Sequence, residues 1–184
     1  MNSSKVRPIL YTGTLFMVVA ACSGVVEAPD EGAGGSTEVA VCSSNVFWKD
    51  QDMPKATEAM NPGLACNACH NKTPTAPNYT VAGTVYPTMK EPDNCNGING
   101  GMSNMPDITV VITDKSGRTL PPLPVNSVGN FKLETEVVKP FWVKVVNTKT
   151  KLEKKMMAQT DNGDCNSCHT QNGTQGATGR VTAP

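Results

Sequence analysis

Two five-residue segments constrain this chain more than anything else in it. Cys66-Asn67-Ala68-Cys69-His70 and Cys165-Asn166-Ser167-Cys168-His169 repeat one pattern, C-x-x-C-H. The chain holds seven cysteines and two histidines in 184 residues, and both histidines fall at the fifth place of the pattern. At those frequencies one such segment is expected by chance about 0.003 times, and two far more rarely. Cysteines three apart on one turn present both thiols to the same side, and the imidazole follows at once. Whatever the chain folds into must deliver two such turns.

C-x-x-C-H is the attachment sequence of c-type haem. The two thiols add to the two vinyl groups of one porphyrin, and the histidine ligates the iron from one side. Two covalently attached haems are therefore expected, on Cys66, Cys69 and His70 and on Cys165, Cys168 and His169. Three other readings compete. A Cys₄ zinc site could use the two C-x-x-C pairs, and a disulfide framework could use the same thiols. Neither explains why each pair ends in histidine. A redox C-x-x-C belongs beside a βαβ pattern, which is absent. Cys42 and Cys95 are left over once Cys22 is set aside, as explained below. They are expected to form a disulfide tying the N-terminal segment to the Gly/Asn-rich loop 92–106, worth about 2–4 kcal/mol.

Charge and composition narrow the partners. Sixteen basic residues balance sixteen acidic ones, so no nucleic-acid partner is expected. After residue 22 the aromatics are Phe47, Trp48, Tyr79, Tyr86, Phe131, Phe141 and Trp142. That is thin for a chain of this length, and a disulfide or a cofactor is expected to fill part of the core. Many cysteines also suggest an oxidising compartment, which agrees with haem attachment outside the cytoplasm.

Residues 1–21 read as a targeting segment. Lys5 and Arg7 form a basic start, and the apolar run 9–21 is too short to span a bilayer, which takes roughly 20 residues. The run ends Val19-Ala20-Ala21-Cys22-Ser23, which resembles a bacterial lipoprotein lipobox. The resemblance implies that Cys22 is acylated, becomes the new N-terminus, and anchors the protein to a membrane through lipid alone. Ser23 is similar to the residue that follows the lipid-bearing cysteine in outer-membrane lipoproteins, facing the periplasm or the cell surface. The plainer alternative is an ordinary signal peptide whose cleavage site happens to meet a cysteine. Residues 22–45, with Gly24, Pro29, Gly32, Gly34 and Gly35 and few large apolar side chains, read as a flexible tether.

From residue 46 onward a folded domain is expected, with its β-region at 79–158. Strand patterns occupy 79–86, 108–114, 118–125, 131–136, 140–147 and 151–158. Pro121, Pro122 and Pro124 confine 118–125 to an edge strand or an extended loop. Helix is limited to 54–60 and the motif turns. The expected fold is mostly β: a small antiparallel β-sandwich flanked by two haem-attachment segments. The runs 81–85, 110–118, Gly129-Asn130-Phe131 and 142–145 resemble a carboxypeptidase regulatory-like domain, which implies a transthyretin-like sandwich. With the lipobox and the two motifs, the arrangement resembles small dihaem c-type cytochrome lipoproteins of Gram-negative bacteria. That likeness implies electron transfer with redox partner proteins.

No histidine is spare, so a second axial ligand must come from elsewhere, and thioether sulfur is the usual alternative. Met60 lies six residues before Cys66, and Met156 and Met157 lie nine and eight before Cys165. They are the candidate distal ligands; packing against porphyrin or core is the alternative role. The functional alternatives are a peroxidase-like haem enzyme with an open iron, or a self-associating subunit of a conductive assembly. Six antiparallel strands between the motifs would return the chain to the end where it entered. His70 and His169 are therefore expected at one end of the domain, within about 20 Å, the span of one strand.

Overall fold

The computed structural model describes residues 41–48, 57–102 and 104–184, all within one compact unit, Ser36–Pro184. The targeting segment, Cys22, most of the tether and the first part of 54–60 lie outside the described residues. Residues 57–60 form a turn and not a helix.

Chain order is α1 (Cys66–His70), β1 (Val81–Tyr86), β2 (Gly101–Met102), β3 (Met105–Pro106), β4 (Ile108–Thr113), β5 (Leu123–Pro124), β6 (Asn130–Leu133), β7 (Trp142–Asn147), β8 (Glu153–Lys155), α2 (Cys165–Cys168) and β9 (Val181–Thr182). The protein is β-rich. One sheet has the order β6-β1-β9, another β5-β4-β7-β8, and β2 and β3 form a separate hairpin.

The alternation visible in the sequence builds the core. In the larger sheet Val110 lies opposite Val145 and Ile112 opposite Val143. In the smaller one Val81 lies opposite Leu133. These side chains, with Val85, Ile108, Phe131 and Phe141, join one buried cluster fed by both sheets. Each is worth about 1.5–3 kcal/mol relative to exposure. The outward side chains of β6 and β7 alternate with them and are half-buried.

Two expectations need correction and one is narrowed. Of the two forms open to 118–125, the extended loop prevails: only Leu123 and Pro124 pair with β4, and Thr119 makes a single bridge to Thr113. The prolines remove the donors a full ladder needs. The sheets are not antiparallel throughout, because β9 runs parallel to β1, Val85 pairing with Val181. Asp164 also bridges Ala82 in parallel. The edge of β1 is thus shared by 163–164 and 181–182, and the second motif is the excursion between them. Finally, the folded part begins before residue 46. Cys42 is buried, Asn45 donates its N–H to the Cys42 carbonyl, and Cys42 is disulfide-bonded to Cys95 with a Cα–Cα distance of 5.4 Å. The small polar residues Ser43, Ser44 and Asn45 carry no hydrophobic signal, and the cross-link holds this turn. Among the described residues no helix is long and apolar enough to cross a membrane.

β1 is buried along its whole length. Val81 and Val85 face the shared core. Thr84 and Tyr86 alternate with them and point the other way.

Candidate functional site

The first motif enters through a tight turn. Asn61 and Gly63 have φ of 44° and 82°, in the left-handed region. A Cβ on Gly63 would stand 2.3 Å from the Tyr86 hydroxyl, so glycine is required there. The turn delivers Cys66–His70 as one helical turn, whose flanking Ala65 supplies no side-chain cap.

The cap comes from the second motif. Asp164, the residue before Cys165, accepts hydrogen bonds from the N–H groups of Cys66, Asn67 and Ala68 at 3.1, 2.9 and 3.1 Å. These are the donors that a helix start leaves without an internal partner. Burial pushes the Asp164 carboxyl above the usual carboxylate range, and the three N–H donors act against that rise.

Asn166 fastens the joint. It is 2% exposed. Its Oδ1 accepts the Thr84 N–H at 3.0 Å. Its Nδ2 donates to the Leu64 carbonyl at 2.9 Å and to the Thr84 hydroxyl at 3.0 Å. Thr84 in turn accepts the Gly63 N–H and donates to Asn130. Asn67 holds the matching place in the first motif, yet its Oδ1 is buried without a partner. The motifs repeat in sequence but not in role: the second organises the first. They are joined by direct hydrogen bonds, and what brings them together is the edge segment 163–164 and not an even number of full strands.

The two histidines are set alike. His70 Nδ1 is 2.8 Å from the Pro77 carbonyl, and His169 Nδ1 is 2.8 Å from the Gly179 carbonyl. A carbonyl can only accept, so each Nδ1 carries a proton, and the neutral ring then has its lone pair on Nε2. Fixing a ring through Nδ1 is the usual way to orient a metal-binding imidazole. The His70 ring also leans on Tyr79, with centroids 4.6 Å apart.

Of the leading cysteines, Cys165 is buried and Cys66 half-buried. Burial, then the Asp164 carboxylate, pushes the Cys66 thiol up to about 12. Burial, then the neighbouring Cys66, pushes Cys165 up to about 12. These surroundings favour an uncharged sulfur at both positions. Cys165 packs into the shared core, and Gly83 makes room for it. A Cβ on Gly83 would lie 2.8 Å from both Cys165 Cβ and the Phe131 ring. Gly83→Ala is expected to cost about 1–3 kcal/mol, as overpacking does, read by urea denaturation. An unchanged midpoint would show that Cys165 is not pinned against β1.

A thiol pair on one turn with an Nε2 lone pair beside it is the donor set a c-type haem uses. Half-exposed Leu64 and exposed Ala68 leave apolar surface beside the first pair. A zinc site fits less well. Among the described residues the ligand atoms that converge within 4.8 Å are those of Cys42, Glu91 and Cys95, and not those of the motifs. In that cluster the two sulfurs are already bonded to each other.

The candidate distal ligands separate. Met60 sits in the turn before the first motif, its carbonyl held by Asn130 Nδ2 at 2.7 Å. Met156 is half-buried and packs against the core, which makes it a packing residue. Met157 is 99% exposed.

Sequence reasoning missed Asp164, Asn166, Thr84 and Arg180. Asn166 was signalled by the asparagine shared after the first cysteine of each motif, and Asp164 only by the missing cap at Ala65. The chain matches no protein-family model, no curated protein and no solved structure.

Proposed function

We propose that this chain is an extracytoplasmic electron carrier with two covalently attached c-type haems. It would be anchored to the outer membrane through a lipid on Cys22 and framed by a transthyretin-like β-sandwich. The observation that carries the reading is the twin setting of the histidines. Both lie at the fifth place of C-x-x-C-H, and both have Nδ1 bound to a main-chain carbonyl at 2.8 Å.

The haem iron, cycling between ferric and ferrous states, supplies the redox chemistry. The chain's residues do the rest. Cys66 and Cys69, and Cys165 and Cys168, would hold the two groups, and His70 and His169 would offer Nε2 to the iron. Pro77 and Gly179 fix the ring orientation. Asp164 and Asn166 hold the two turns together, so a joined pair of sites favours transfer within one chain over transfer by collision. Met60 remains the candidate sixth ligand at the first motif and Met157 at the second. Redox proteins are the expected partners.

Mass spectrometry of the mature, denatured protein should show two haem additions and a lipidated N-terminus. A pyridine haemochrome assay should give two haems per chain, falling to one in Cys66→Ala/Cys69→Ala. A colourless, zinc-containing protein would overturn the reading. Reversible carbon monoxide binding to the reduced protein would instead indicate an open iron and favour a haem enzyme.

A further inference from the structure

The peptide between Gly179 and Arg180 is held unusually firmly for a surface excursion. Its carbonyl accepts from His169 Nδ1. Its N–H donates to the Met89 carbonyl at 2.9 Å. Gly179 has φ of 152°, and a Cβ there would stand 2.3 Å from the Met89 oxygen, so the backbone passes where only glycine fits.

The Arg180 side chain adds the clamp. It is 1% exposed. Nε donates to the Glu91 carbonyl at 3.1 Å, Nη1 donates to the Gly63 carbonyl at 3.4 Å, and Nη2 pairs with the exposed Asp93 carboxylate. The guanidinium carbon lies 4.9 Å from the centre of the Tyr86 ring. A planar fork satisfied on three sides and stacked on an aromatic face is a role lysine cannot fill. A buried guanidinium is costly unless it is paired and hydrogen-bonded, and this one is.

We propose that Arg180 is a positioning residue for His169: by locking the Gly179–Arg180 peptide it fixes the proximal hydrogen bond of the second motif and so sets the reduction potential of that haem. The inference rests on the haem reading. A firm acceptor at Nδ1 makes the imidazole a stronger donor to iron, which favours the ferric state. Loosening the acceptor shifts the equilibrium toward ferrous. Among the described residues, no buried arginine holds the peptide of Pro77, the acceptor for His70.

The test is Arg180→Lys in the full-length lipidated protein, which keeps the charge and loses the fork. Haem stoichiometry is measured first, and anything other than two haems in the unmodified protein defeats the haem reading itself. With two haems present, nuclear magnetic resonance of the reduced protein follows the exchange of the two histidine ring N–H protons. Spectroelectrochemistry gives the two potentials.

One ring proton should exchange at least tenfold faster in Arg180→Lys while the other is unchanged. One couple should move toward reduction by about tenfold in its equilibrium constant, or about 59 mV for one electron. Unchanged lifetimes and potentials, or equal changes at both haems, would overturn the proposal. Should Arg180→Lys fail to accumulate, Asp93→Ala removes one partner of the fork from the outside. It should move the same proton and the same couple in the same direction by less, and no movement there overturns the proposal equally.

Discussion

Replacing Asp164 by alanine should destabilise the folded chain by about 2–3 kcal/mol and open the first motif while leaving the second helical turn formed. Hydrogen bonds to a charged group are worth about 1.5–3 kcal/mol each, and losing a helix cap costs about 0.5–2. Three N–H groups lose their acceptor together here. Their energies do not add in full, because the carboxylate is itself held in a dry place, as its raised pKa records. The second turn is closed by its own bonds, Ser167 N–H to the Asp164 carbonyl and His169 N–H to the Cys165 carbonyl. Those use the Asp164 backbone, which survives the substitution. Urea denaturation measures the loss. Hydrogen exchange at Cys66, Asn67 and Ala68 locates it. Asp164→Asn keeps one acceptor oxygen and should recover about half. A loss below about 0.5 kcal/mol in the alanine variant would mean that water replaces the cap.

That coupling explains how much of the molecule was legible beforehand. C-x-x-C-H is a local pattern, so its two copies could be read directly, as could the pairing of Cys42 with Cys95 by elimination. The strands of the core were legible because Ile108, Val110 and Ile112, and Phe141, Val143 and Val145, alternate with the period of a pleated surface. All six are buried. The strands that escaped notice are two residues long, Gly101–Met102 and Met105–Pro106, and two residues carry no period. The joint between the motifs was illegible for a different reason. Asp164 caps a helix that starts 98 residues before it, and nothing in the local sequence of either segment announces a partner that far away. Ala65, at the cap position of the first turn, offers no side chain to accept those N–H groups. A helix start without a cap is the one clue that an acceptor had to arrive from elsewhere.

Removing the disulfide, as Cys42→Ala/Cys95→Ala, should cost about 4 kcal/mol, the largest stability loss expected for this chain. The cysteines are 53 residues apart. A cross-link over that span removes a large part of the freedom of the unfolded chain. The local structure adds to the effect. Residues 41–48 also meet the body through a bridge of Phe47 to Cys95, the Ser43 N–H on Glu91, the Trp48 indole N–H on the Ala59 carbonyl, and backbone bonds of Val46 and Trp48 to the 94–96 segment. Glu91 is 0% exposed, and its carboxylate depends on Ser43 and Thr88 for donors. Once 41–48 drifts away, one of those donors leaves and a buried carboxylate is left short of partners. Tyr86, whose hydroxyl donates to the Cys95 carbonyl at 3.3 Å, is disturbed next. Behind it lie Arg180 and Gly63. Destabilisation should therefore spread from the cross-link toward the motifs, and not into the valine-rich core of the larger sheet. The variant's denaturation midpoint should match that of the unmodified protein treated with dithiothreitol, because the reductant opens a disulfide and leaves thioethers intact. Equal midpoints with and without reductant in the unmodified protein would show that the cross-link contributes nothing. A midpoint that falls in reductant together with loss of haem from the chain would show that the motif cysteines are not thioethers.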